Sequence, residues 1–167
     1  VNVQWVANHS EVNTQLLSQE GTIAMIPEPF VSTALAQGQE GVTKLFDLNE
    51  LWEETTGQQL PMGVLVATRS FAEDRSDDLK VLLSDLQASV DYVNDSPAEA
   101  AKAIVEHGFI GDEAIAEAAI PNCHIVLYTG DNAAEGIEML KTFNQTLYDM
   151  DPASVGGALP DENLYYQ

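Results

Sequence analysis

Three histidines, one cysteine and a short acidic run are the first candidates for chemistry in this 167-residue chain. His9, His107 and His124 are far apart, and none has a second ligand at i+3 or i+4, the spacing that places two zinc ligands on one helix face. His107 precedes Gly108, the place where an imidazole meets the last carbonyls of a helix. Cys123 and His124 are adjacent, but a Cys–His dyad needs convergence in space, and neighbours on a strand point to opposite faces. A single cysteine also excludes an internal disulfide and a Cys-rich zinc site. The run Glu73-Asp74-Arg75-Ser76-Asp77-Asp78 lacks the Gly and the closing Glu of a calcium loop. Gly156-Gly157 follows a helix and lacks the Lys of a phosphate loop. No catalytic constellation, metal site or cofactor is expected from these residues, so the chain reads as a binding protein and not as an enzyme.

Composition narrows the partners. The formal net charge is −21, from 27 acidic and 6 basic residues. Binding nucleic acid needs clustered Lys and Arg that displace counterions from phosphates, and an anionic membrane surface selects the same residues. Both are excluded as partners. At 45% hydrophobic residues the chain can build a core. No apolar run approaches the ~20 residues of a membrane-spanning helix. The chain opens on Val1 without Met, inside a segment that alternates like a strand, so a start further upstream is expected and the lack of a signal peptide says nothing.

Elements that would position a site alternate in period. Val1–Ala7 reads as a strand, and Ser10 is a good N-cap for a helix over 11–19. Gly21 stops it. Thr22–Ile26 is a short apolar strand, Pro29 opens a helix to Gln37, and Val42–Leu48 is a third strand. This is a βαβαβ order, which predicts an α/β fold with a parallel sheet. Asp47 or Asn49 caps a short helix carrying Leu51 and Trp52, and Met62–Thr68 reads as another strand. From Arg69 onward the period is helical. Ser76 or Asp77 opens a helix with Leu79, Leu82, Leu83, Leu86, Val90 and Val93 on one face. Ser96-Pro97-Ala98-Glu99 opens the next, Asp112–Ala119 is short, and Asp131 or Asn132 caps a long helix that ends at Asp151-Pro152. His124–Thr129 reads as a strand. Thr55–Pro61 is polar and turn-rich, a candidate lobe boundary, and the part after it is helix-rich with an irregular C-terminal tail.

Four segments resemble the nitrate/sulfonate/thiamine-precursor branch of ABC-transporter solute-binding proteins, which have the type II periplasmic-binding fold. They are Gly21-Thr22-Ile23-Ala24-Met25-Ile26-Pro27-Glu28-Pro29-Phe30, Leu60–Val66, Ala119–Val126 and Ser154–Tyr166. The last reads as natural sequence, although Glu162–Gln167 is also similar to a protease-tag scar. The resemblance covers almost the whole chain and rests on the order of the segments. Where the family often has Asp three residues after the Gly, this chain has Ala24, so an acidic contact from there is not carried over. The resemblance implies two α/β lobes closing on a small solute, with residues 1–60 as most of the second lobe and 61–167 returning to the first.

In such folds ligands sit beyond the carboxyl ends of the strands. The loops concerned are Asn8-His9-Ser10 and Pro27-Glu28-Pro29-Phe30, each preceding a helix whose free N–H groups face the cleft. The resemblance makes Glu28 the residue to single out. It can accept hydrogen bonds from an amino group, as on an aminopyrimidine, and repels nitrate or sulfonate; its other role is to complement a helix N-terminus. Pro29 sits beside it. Phe30 can stack on a flat ligand or pack in the core, and His9 can line the cleft. Met62 and Gly63 fall at the hinge. The implied function is solute capture for an ABC permease by hinge closure, outside the cytoplasm, as a periplasmic or cell-surface lipoprotein. Alternatives on the same fold are a thiamine-pyrimidine biosynthetic enzyme and the effector-binding domain of a regulator. With few strands of its own in the second half, the chain is also expected to form a dimer or swapped assembly, or to expose an apolar face.

Overall fold

The computed structural model describes residues 2–166, apart from the side chain of Gln39. Expectations placed on Val1 and Gln167 lie outside the described residues. Within them run eight α-helices: α1 (His9–Ser18), α2 (Phe30–Gly38), α3 (Leu48–Thr56), α4 (Arg69–Asp74), α5 (Ser76–Asp95), α6 (Pro97–Glu106), α7 (Glu113–Ala119) and α8 (Ala133–Met150). Their starts follow from local chemistry. A helix leaves its first N–H groups unpaired, and a short polar side chain ahead of it supplies an acceptor. Asn8, Asp47 and Asp112 do this for Glu11, Asn49 and Ile115, at 2.9, 3.0 and 3.1 Å. Pro97 opens α6 with its fixed φ. Gly57, at φ 72°, closes α3 in the left-handed region.

The expected α/β fold is not what the chain adopts. Among the described residues there is no strand and no sheet. The segments read as strands run without helix around residues 2–6, 22–27, 42–47, 59–68 and 125–129, yet every backbone hydrogen bond recorded outside the helices is local to a turn or cap. A strand is defined by a neighbour about 4.8 Å away that completes its ladder. Alternating side chains record a local preference but do not supply that neighbour. Without it the apolar residues of these segments lie open: Trp5 is 86% exposed, Ile23 81% and Val66 81%. His124, expected to begin a strand, instead sits at φ 48° behind the 3-10 turn Ile120–Asn122.

Two compact units divide the chain, each assembled from two stretches of sequence. The first comprises Val1–Leu45 and Gln87–Val126. Its core is made of small residues: Ala100 and Ala101 of α6 and Ala116 and Ala119 of α7 are all buried, as is Ala34 of α2. Side chains this small let helices approach closely. α2 packs on both α1 and α7. Asn94 closes the unit's far end by donating to the Ile125 carbonyl at 2.9 Å.

Phe46–Leu86 and Leu127–Gln167 make up the second unit. Trp52 meets Phe143 of α8 edge-on, with ring centroids 5.5 Å apart. Tyr128 lies over Gly136 of α8 and donates from its hydroxyl to Gln59 Oε1 at 3.1 Å. The chain after α8 returns along that helix. Lys141 Nζ donates to Glu162 at 2.8 Å and sits over the Tyr165 ring, while Arg69 donates to the Asn163 carbonyl at 3.3 Å. The Glu162 hydrogen bond raises the Lys141 pKa above the usual lysine value.

Candidate functional site

Six of the eight residues singled out in the sequence lie in the first unit, at the start of α1 and at the turn into α2. Asn8, and not Ser10, is the cap of α1. Ser10 lies inside the helix, where its carbonyl accepts from the Thr14 hydroxyl at 2.9 Å. His9 and Phe30 come together across the two helices, ring centroids 5.2 Å apart and tilted by 45°. A cis peptide bond joins Glu28 to Pro29. Glu28 is half-buried, and its Oε2 accepts the Ser32 N–H at 3.1 Å, so the carboxylate does complement the N-terminus of α2. One of its oxygens has that partner, and a carboxylate carries lone pairs for further donors. Met62 and Gly63 belong to the second unit, in the exposed segment ahead of α4.

Asn13, which sequence reasoning passed over, and Cys123, weighed there only for a dyad with His124, complete this corner. Asn13 of α1 is 6% exposed, and its Nδ2 donates to the Phe30 carbonyl at 3.0 Å, tying α1 to the start of α2. Its Oδ1 is buried without a hydrogen-bond partner among the described residues. A half-satisfied amide of this kind costs about 1–3 kcal/mol. Asparagine is a poor residue for a helix interior. A signal was therefore present, since an Asn in mid-helix has to be explained by something other than propensity. Cys123, close enough to Glu28 to feel its charge, is the second. Burial pushes the thiol pKa up, and the Glu28 carboxylate adds to the rise. A thiol held protonated is a poor nucleophile.

That arrangement makes a prediction about the pair. Alkylation of Cys123 by iodoacetamide at pH 8 should be slower than that of a free thiol in a denatured sample. Glu28→Gln should speed it, because the anion would no longer oppose thiolate formation. An unchanged rate in the variant would place Glu28 too far away to act on the thiol.

Chemically, the corner offers one carboxylate, Glu28, and two rings, His9 and Phe30. A carboxylate can accept hydrogen bonds from a donor group, and an aromatic ring can pack on a flat one. No group of three or more His, Cys, Asp or Glu side chains that could hold a metal ion occurs among the described residues.

The sequence profile of the family described as menaquinone biosynthesis matches residues 6–143. This chain belongs to that family. A 1,4-dihydroxy-6-naphthoate synthase of Streptomyces coelicolor is 34% identical over 95 residues, which are 57% of this chain and 31% of the relative. The match therefore spans about a third of that relative's length. An ABC-transporter protein of Parabacteroides distasonis shares the fold, with a TM-score of 0.68 and 24% identity over 96% of this chain and 54% of that structure. The resemblance to an ABC-transporter protein is thus one of fold. The expectation that the chain is not an enzyme is overturned, since the family is one of biosynthesis and the relative is a synthase. Of the functions weighed from sequence, a biosynthetic enzyme on this fold is better supported than solute import.

Proposed function

We propose that this chain acts in menaquinone biosynthesis as a synthase, with the 1,4-dihydroxy-6-naphthoate-forming activity for which the Streptomyces relative is named. The match of the family to residues 6–143 carries the reading, because it takes in Asn8, His9, Asn13, Glu28, Phe30 and Cys123. In this reading the substrate lies against the α1/α2 corner. Glu28 accepts its donors, and the His9 and Phe30 rings flank its plane. The neutral Cys123 thiol lines the corner and takes no part as a nucleophile.

Complementation tests this. A bacterial strain deleted for its 1,4-dihydroxy-6-naphthoate synthase should regain that product and menaquinone when it expresses the protein, both read by mass spectrometry. Soluble expression without either compound would sink the proposal. The fold shared with an ABC-transporter protein supports the second reading, solute capture. A thermal shift with an aminopyrimidine or a sulfonate, in a protein that fails to complement, would favour it.

A further inference from the structure

Helix α1 grips Phe30 twice. His9 and Asn13 are four positions apart on α1, so they share one face of that helix. The His9 ring meets the Phe30 ring, with centroids 5.2 Å apart. One turn on, Asn13 Nδ2 donates to the Phe30 carbonyl at 3.0 Å. The second grip is the one shielded from water. His9 is exposed and Phe30 half-buried, whereas Asn13 is buried. An exposed ring contact opens readily when nothing else fixes its spacing, because the side chains regain rotamer freedom. The buried amide bond holds the two backbones at a set distance, and the rings with them.

The turn ahead of Phe30 is itself well tied. The Phe30 N–H donates to the Pro27 carbonyl at 2.9 Å, and Glu28 accepts the Ser32 N–H at 3.1 Å. One short turn thus carries both the carboxylate and a ring, and Asn13 docks that turn on α1. A side chain kept at position 13 for packing alone would be apolar. Asn13 Oδ1 is buried without a partner among the described residues, a cost that an apolar side chain does not carry. An amide retained against stability fits a residue that serves a site.

We infer that Asn13 is a positioning residue: it acts through Phe30 and sets the spacing of the His9 and Phe30 rings that flank a flat substrate. The ring spacing stands by itself, and its use in holding substrate rests on the synthase activity proposed above.

Asn13→Leu keeps the branching of the side chain and removes both polar atoms. It should melt close to the parent temperature. In isotope-labelled protein, nuclear Overhauser contacts between the His9 and Phe30 rings should be present in the parent and lost in the variant, while contacts within α1 and within α2 persist. KM for 1,4-dihydroxy-6-naphthoate formation should rise about three- to tenfold with kcat unchanged, the effect of losing an aromatic contact made equally to substrate and transition state. A role in folding alone would lower the melting temperature and leave the ring contacts and KM as in the parent. Ring contacts that are absent from the parent or kept in the variant would overturn the inference, as would an unchanged KM. If the parent forms no product, the synthase reading fails, and the ring contacts still decide on Asn13. Should Asn13→Leu fail to fold, Asn13→Ala, which adds no bulk, is read in the same way. If neither folds, Asn13 is a structural residue and the inference fails.

Discussion

Replacing Gly136 with alanine should destabilise the second unit by about 1–2 kcal/mol, the overpacking cost less the helix-propensity gain. Gly136 is buried on α8, beneath the side chain of Tyr128. A Cβ built there would overlap the Tyr128 Cβ and lie 2.8 Å from its Cγ. Neither atom is the free end of a flexible side chain. The tyrosine root is fixed by its backbone, so either α8 or the 127–129 segment must move. Alanine gains roughly 1 kcal/mol over glycine in a helix interior, and overpacking of this kind costs about 1–3 kcal/mol. Moving Tyr128 also puts at risk its hydrogen bond to Gln59, so the upper part of the range applies. The melting temperature should fall by about 3–6 °C for a chain of this size. Gly63→Ala is the control: its added Cβ has no atom within 4 Å, and it should change stability by less than about 1 kcal/mol. A Gly136→Ala protein that melts at or above the parent temperature would mean that Tyr128 does not pack on α8.

The same contrast between local and distant information explains what was legible in the sequence. Helix starts are local. Asp47, Asp112 and Pro97 each stand where a cap or a first-turn proline is needed, and the helices begin there. Ser10 and Asn8 are capping residues of similar strength two positions apart, and composition could not choose between them. The core was less legible. In α5 the stripe Leu79, Leu82, Leu83, Leu86, Val90 and Val93 has the period of a buried face, yet Leu79 is buried and Leu82 is 47% exposed. Burial fell instead on the alanines of α6 and α7, whose small size gives a weak pattern signal. Strands were the least legible, because Val3, Trp5, Ile23 and Met25 alternate correctly and still have no ladder. The corner of the site divides along the same line. Glu28 and Phe30 stand out in a Pro-rich turn, whereas Asn13 and Cys123 join them through contacts spanning 17 residues and far more.

Glu28 carries the other large expected effect. The carboxylate already has one structural task, accepting the Ser32 N–H, and a purely capping role is the competing explanation for it. Glutamine retains a side-chain oxygen at the same reach, so Glu28→Gln should keep the cap and change stability by less than about 0.5 kcal/mol. It removes the negative charge. A hydrogen bond from a ligand donor to a charged acceptor contributes about 1.5–3 kcal/mol, so kcat/KM for 1,4-dihydroxy-6-naphthoate formation should fall roughly ten- to a hundredfold. Glu28→Ala loses the cap as well, and should lower stability by a further ~0.5–2 kcal/mol with a similar loss of activity. The two variants thus separate the roles: charge is read in the rate and capping in the melt. If Glu28→Gln turned over like the parent while Glu28→Ala lost both stability and rate, the carboxylate would be a helix cap and nothing more. The substrate would then have to be held by the two rings, with no charge in the corner to orient it.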